Sequence, residues 1–306
     1  MIEVENLSKK FDDLIAVDNI SFNVKEGEVF GFVGPNGAGK TTTIRMLSCL
    51  ISSTSGTANV AGFNINDKSD ALEVRKIIGL IPDNVGIYNE LSAYKNLDFY
   101  GKLYGMENTE REENIKYFLK MLGIWDKRDL LVGKFSKGMK QKLAISRALI
   151  HDPEILFLDE PTANLDPSSS KTVRDFLIEL KKEDKTIFIN THNLDEVEHI
   201  CDTVGIMNTH LLKVSTQKEL KESIWGRKTV VKLEKVTDDI LNALNQTQFE
   251  KIGVSDDKLS FDVTNPEKEN SAIVEAIVNA GGRIQYVTKL DPSLEDTYLE
   301  FLKEND

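Results

Sequence analysis

Apolar and polar residues alternate at Ile20, Phe22 and Val24 against Ser21, Asn23 and Lys25, the period of a strand with one buried face. Glu26-Gly27 then turns the chain. Val29–Val33 is a continuous apolar run, which predicts a strand buried on both faces, and it leads through a glycine-rich loop into the helical stretch Thr42-Thr43-Ile44-Arg45-Met46-Leu47. Between residues 92 and 152 the pattern becomes helical: Ile115, Phe118, Leu119 and Leu122 share one face, Gly123 stops the helix, and Thr109 with Glu112 predicts a capping box at its start. Ile155 to Leu158 is again a buried strand. A helix with Val173, Phe176, Leu177 and Leu180 on one face follows, and then a strand at Thr186–Asn190. Strands alternating with helices predict an α/β fold with a mainly parallel sheet, an antiparallel β part and an inserted helical subdomain at about 92–152.

The texture changes after about Gln217. Strands near 229–233, 249–254, 258–263 and 283–287 and helices near 238–244 and 270–280 spell βαββαβ, which predicts a small α+β, ferredoxin-like domain over 217–306, with residues 266–270 as a solvated loop. The expected domains are therefore 1–216 and 217–306. The latter carries 12 Lys and Arg against 18 Asp and Glu, half of the chain's net charge of −12.

That acidic balance argues against a surface built to hold nucleic-acid phosphates. No apolar run is long enough to span a membrane, and the opening Met1-Ile2-Glu3 lacks a basic segment followed by an apolar stretch, so a soluble, unexported chain is expected. Cys49 and Cys201 are read as small core residues, with no metal or disulfide spacing around them.

Local chemistry outweighs the global charge at Gly34-Pro35-Asn36-Gly37-Ala38-Gly39-Lys40-Thr41, which satisfies Gly-x-x-x-x-Gly-Lys-[Ser/Thr] between a buried strand and a helix. Glycines let successive N–H groups turn inward around phosphate oxygens, Lys40 reaches the outer phosphates, and Thr41 offers a hydroxyl to Mg²⁺. Asp159 and Glu160 end an apolar strand. Asp159 is the natural second anchor for Mg²⁺, and Glu160 is suited to polarise a water for attack on the γ-phosphate. Phe135-Ser136-Lys137-Gly138-Met139 opens another helix, and Ser136 with Gly138 predicts a second anion-binding end, directed at a partner's ATP. His192 follows the strand Thr186–Asn190, where an imidazole can bond a γ-phosphate or the attacking water; His151, His199 and His210 are read as structural.

With Ala163-Asn164-Leu165-Asp166 and Thr191-His192, these segments resemble, in order and spacing, the ATP-binding subunit of ABC transporters over residues 1–216. The resemblance implies a P-loop ATPase with ATP and Mg²⁺ as cofactors. It implies dimerisation, as a homodimer or heterodimer, around two nucleotides to drive a separate integral-membrane permease from the cytoplasmic face, with no nucleic acid as partner. It also implies that Phe11 stacks on adenine, that Thr42 extends the phosphate contacts, that Ser136 and Gly138 meet the γ-phosphate across the dimer, that Asp166 communicates between subunits, and that His192 is the switch histidine. Two positions depart from the pattern. Asp83 stands where the family has a lid glutamine; a carboxylate there can approach Mg²⁺, or serve only as a turn residue after Pro82. Lys137 replaces a signature glycine, and Ser-Lys-Gly-Met resembles the drug- and antibiotic-exporter branch, as does the tail 291–299. Import with a regulatory C-terminal domain is the alternative within transporters. A soluble ABC ATPase of translation or DNA repair is the alternative outside them, disfavoured by one cassette with 95 residues between Lys40 and Ser136 and no coiled-coil or zinc insertion. A small GTPase is disfavoured because no Asn-Lys-x-Asp segment occurs.

Overall fold

In chain order the elements of the first part are β1 (Ile2–Phe11), β2 (Leu14–Val24), β3 (Val29–Val33), α1 (Lys40–Leu47), β4 (Ser55–Val60), β5 (Phe63–Asn64), α2 (Asp70–Ile77), β6 (Ile78–Ile81), α3 (Ala93–Leu103), α4 (Asn108–Met121), α5 (Lys137–Leu149), β7 (Ile155–Asp159), α6 (Pro167–Lys182), β8 (Thr186–Asn190), α7 (Leu194–Ile200), β9 (Thr203–Asn208) and β10 (His210–Thr216). The second part holds α8 (Gln217–Trp225), β11 (Lys228–Leu233), α9 (Asp238–Asn245), β12 (Lys251–Ser255), β13 (Lys258–Asp262), α10 (Pro266–Asn279), β14 (Ile284–Lys289) and α11 (Leu294–Asn305). The computed structural model describes all residues except 83–85, 164, 227, 246–248, 250 and 306, and the side chains of 251, 252, 304 and 305. The chain divides into two compact units, Met1–Thr216 and Gln217–Asp306.

Two sheets build the first unit. One is antiparallel, in the order β2-β1-β4-β5; the other runs β10-β9-β3-β8-β7-β6 and is parallel except where β10 meets β9. Their common core is aromatic. Phe22 of β2 stacks on Phe30 of β3 with centroids 5.2 Å apart and also meets Phe32 and Phe188. Phe30 in turn lies 5.2 Å from Phe188 of β8. The alternation of β2 and the unbroken apolar runs of β3, β7 and β8 follow from this arrangement, because the parallel strands are covered on both faces. On the other face of β3, a Cβ at Gly31 would stand 2.7 Å from Cys201 Sγ, so the buried thiol fills the space the glycine leaves. Burial pushes that thiol far above its ordinary range, as expected of a core residue.

The helices α3, α4 and α5 form the segment inserted between β6 and β7. Ile115, Phe118 and Leu119 of α4 are buried as their spacing predicts, but the capping box is not formed: the helix begins one residue before Thr109, with Glu107 at the cap position and no side-chain cap bond. In the second unit the sheet order β12-β13-β11-β14 with α9 and α10 is the ferredoxin-like arrangement. Residues 266–270 are not a loop. They are the first turn of α10, with Asn265 accepting from the Lys268 N–H and Pro266 at the first helical position, where its missing N–H and fixed φ cost nothing. Trp225 Nε1–H donates to Thr297 Oγ1 at 3.2 Å and ties α8 to α11.

Candidate nucleotide site

The strand order decides which residues meet. β8 lies between β3 and β7, and the parallel register sets Asn190 beside both Phe32 and Asp159. All three strands therefore deliver their C-terminal ends to one edge: β3 the phosphate loop, β7 Asp159 and Glu160, β8 Asn190, Thr191 and His192. There residues 36–42, Asp159, Glu160, Asn190 and His192 border a groove of about 620 Å³ that also receives Phe11, Leu14, Ile15, Ala16 and Thr209, with Thr191 buried behind it.

The loop glycines answer to steric demands of the protein itself. Gly39 adopts φ 95° at the cap of α1, and a Cβ there would stand 2.2 Å from the Ala16 carbonyl oxygen; at Gly34 a Cβ would stand 2.0 Å from the Met207 carbonyl oxygen. Backbone N–H groups of the loop and of the first turn of α1 are thereby left at a helix N-terminus, a ready-made phosphate cradle. Lys40 is buried and its Nζ donates to the carbonyls of Gly34 and Pro35 at 2.7 and 2.9 Å. Burial lowers its pKa, opposed by the nearby carboxylates of Glu160 and Asp159.

Thr41 Oγ1 donates to Asp159 Oδ1 at 3.1 Å, and Asn190 Nδ2 donates to the same Asp159 oxygen and to Thr41 Oγ1 at 3.3 Å. Asn190 Oδ1 is buried without a hydrogen-bond partner. A hydroxyl and a carboxylate side by side, both oriented by the Asn190 amide, are the hard oxygen donors that Mg²⁺ prefers, so Thr41 and Asp159 fit the ion. Glu160 follows at φ 51°, a left-handed conformation held by its N–H donating to the Asn190 carbonyl at 2.8 Å. Its Oε1 accepts from the His192 backbone N–H at 3.1 Å and lies 2.8 Å from His192 Nδ1.

Phe11, residues 36–42, Asp159, Glu160 and His192 thus come together, and Gly34 and Pro35 join them through their carbonyl bonds to Lys40. Ser136, Gly138 and Asp166 do not line this groove; they form a separate cluster. Ser136 Oγ caps α5 by accepting from the Met139 N–H at 3.2 Å, and Asp166 caps α6 by accepting from the Ser169 N–H at 3.0 Å. The Asp166 carboxyl is held below its usual range by its bonds to Ser169. Gly138 packs on that cap, where a Cβ would meet Ser169 Oγ at 2.5 Å. Asp83 lies outside the described residues. Of the remaining histidines, His151 stacks on Tyr104 at 3.6 Å and bonds the Ile78 carbonyl, and burial pushes its pKa down to about 4.

Sequence reasoning gave no site role to Asn190, Thr191, Thr162 or Glu196, although Thr191 belongs to the Thr191-His192 segment. Asn190 closes an otherwise apolar strand, which was the available signal. Glu196 is the fourth residue after His192 on a short helix, and only the fold shows it to be 2% exposed, its carboxylate met by the hydroxyls of Thr191, at 3.1 Å, and Thr162.

A phosphate cradle opening toward an acidic strand end defines a P-loop nucleotide hydrolase. Residues 17–163 match the ABC transporter family model. Over 214 residues the chain is 42% identical to the ABC transporter ATP-binding protein NatA of Bacillus subtilis (strain 168), covering 68% of this chain and 86% of that one. Over 209 residues it is 43% identical to the bacitracin transport ATP-binding protein BcrA of Bacillus licheniformis, covering 68% and 67%. A solved dimeric, post-hydrolysis state of the ATP-binding cassette MJ0796 bound to ADP and Pi superimposes with a TM-score of 0.65 at 25% identity, over 71% of this chain and 98% of that one. The chain belongs to the family of ABC transporter ATP-binding proteins, and it binds and hydrolyses ATP with Mg²⁺.

Proposed function

We propose that this chain is the ATPase of an exporter, that two ATPase domains close around two ATP molecules, and that their cycle drives a separate integral-membrane permease from the cytoplasmic face. The observation that carries the reading is the meeting of Lys40, the Thr41–Asp159 pair and the Glu160–His192 pair in one groove. In this reading the N–H groups of residues 34–42 and Lys40 hold phosphate, and Phe11, 43% exposed at the end of β1, offers a ring face to adenine. Thr41 and Asp159 would hold Mg²⁺, which supplies charge neutralisation at the phosphates. Asp83 is a further candidate for the ion. Glu160 orients water and accepts its proton, and His192 steadies that carboxylate while facing the developing charge. Ser136 and Gly138 form a second anion-binding end for the partner's nucleotide, and Asp166 stands beside them to sense it.

Among the described residues no helix is long and apolar enough to cross a membrane. Export is supported by Ser136-Lys137-Gly138-Met139 and by the likeness to the bacitracin transport protein. The test is co-purification with a candidate integral-membrane permease, followed by ATP-dependent efflux from vesicles holding the complex; uptake instead would reverse the direction. We also read Gln217–Asp306 as an accessory domain covering or propping the ATPase. A protein ending at residue 216 with unchanged dimerisation and turnover would remove it from assembly.

A further inference from the structure

The carboxylates of Glu160 and Glu196 face the same hydroxyl. Thr191 Oγ1 lies 3.4 Å from Glu160 Oε2 and 3.1 Å from Glu196 Oε2, and it already accepts the Asn193 N–H at 3.0 Å. A threonine hydroxyl has one proton to give. With both glutamates ionised, Thr191 satisfies only one of them, and an ionised Glu196, 2% exposed, would hold a buried anionic oxygen opposite lone pairs, which is costly.

We propose that Glu196 is a positioning residue that stands as a neutral acid, donates to Thr191, and so commits the Thr191 proton to Glu160. The inference rests on the reading of Glu160 as the residue that orients the attacking water. A chain of donors then runs Glu196 to Thr191 to Glu160, and Glu160 is fixed on two sides: Thr191 at Oε2, the His192 backbone N–H and ring at Oε1. The other oxygen of Glu196 meets the hydroxyl of Thr162, two residues after Glu160. One buried side chain on α7 therefore ties together the segments that leave β7 and β8, the two strands carrying the hydrolytic residues.

The surroundings favour the neutral form. Burial comes first, and the charge of Glu160 acts in the same direction; the Thr191 bond, Arg174 on α6 and His192 oppose it, leaving a pKa of about 7. Arg174 does not neutralise Glu196 directly, because its guanidinium is ion-paired at 2.5 Å with Asp195, which is exposed.

The test uses the full chain and measures kcat, KM for ATP and nucleotide affinity for Glu196→Gln, Glu196→Ala and Thr191→Val. Glu196→Gln keeps the shape and a donor without a charge, so its kcat stays within about threefold of the parent at pH 7, and above pH 7 it retains turnover that the parent loses as Glu196 ionises. Thr191→Val and Glu196→Ala lose kcat by about 10-fold to 100-fold, the scale of a misplaced reacting group, with KM and affinity unchanged. A Gln variant as impaired as the Ala variant, or a Val variant turning over at the parent rate, overturns the inference. Should Glu196→Ala not fold, the Gln and Val variants and the pH profile still decide. Near-normal turnover in Glu160→Gln would instead remove the underlying reading, and that variant is scored separately.

Discussion

His192 Nδ1 lies 2.8 Å from Glu160 Oε1, so the imidazole that follows β8 and the carboxylate that follows β7 act as one unit. Neither is fixed by its own strand alone: Glu160 needs the Asn190 carbonyl for its left-handed backbone and the His192 N–H for its side chain. Replacing Glu160 by Gln keeps size and most hydrogen bonding but removes the proposed base. Steady-state ATPase assays should show turnover at least about 10²-fold lower, with ATP binding by equilibrium titration preserved. Rapid turnover by this variant would exclude Glu160 as the base.

Asn190 aims the Asp159 carboxylate toward Thr41. Cutting it back to Ala leaves both proposed Mg²⁺ ligands in the chain but frees Asp159 to rotate. The Mg²⁺ concentration giving half-maximal ATPase activity should rise by about 10-fold to 100-fold, as is usual when a ligand loses its orienting partner. An unchanged Mg²⁺ dependence would show that Asp159 is held by other means.

At Gly39 the substitution to Ala is opposed twice, by φ 95° and by the Ala16 carbonyl 2.2 Å from the new Cβ. Stability should fall by at least about 1 kcal/mol in urea denaturation, and ATP affinity should fall with it, because relief of the clash displaces the N–H groups at the head of α1. The same change at Gly37 also meets a positive φ, but nothing stands within 4 Å of its Cβ, so its cost is confined to backbone strain.

His151 gives the fold a pH dependence remote from the groove. Its folded-state pKa, about 4, lies below the ordinary 6.5, so the unfolded chain binds the proton first. Its stabilising effect is complete above about pH 6.5 and is lost as pH falls toward 4, by up to about 3 kcal/mol. Glu196 acts in the opposite sense, since its raised value makes its contribution complete below the ordinary 4.5 and lost as pH rises through about 7. Urea midpoints compared between the parent and His151→Phe from pH 4.5 to 7.5 isolate the first effect: the gap should narrow as pH falls. A constant gap would mean that His151 is not held neutral by burial.

Phe188 joins four aromatic neighbours of the shared core, Phe22, Phe30, Phe32 and Phe157. Phe188→Ala should cost about 3–5 kcal/mol by thermal or urea unfolding, the range for emptying a buried phenyl site.

By itself the sequence determined the local devices. The alternation of Ile20, Phe22 and Val24, the apolar runs of β3, β7 and β8 and the glycine spacing of residues 34–41 are short-range patterns, and each is dictated by the backbone geometry of its own segment. The P-loop, Asp159, Glu160 and His192 were legible because each sits at the end of such a run, where a parallel strand delivers function. Even locally, competing signals misled: Thr109 and Glu112 matched a capping box that Glu107 displaces, and Pro266 read as a loop although it opens a helix. The tertiary structure alone decided which strand ends are neighbours. Placing β8 between β3 and β7 makes Asn190 the bridge from Thr41 to Asp159 and folds Glu196 back under Thr191 and Thr162, contacts of 31 to 149 residues' separation for the first and 34 for the Thr162 bond. Such partners follow from strand order and register, which depend on the packing of the whole core and leave no mark at the residues themselves.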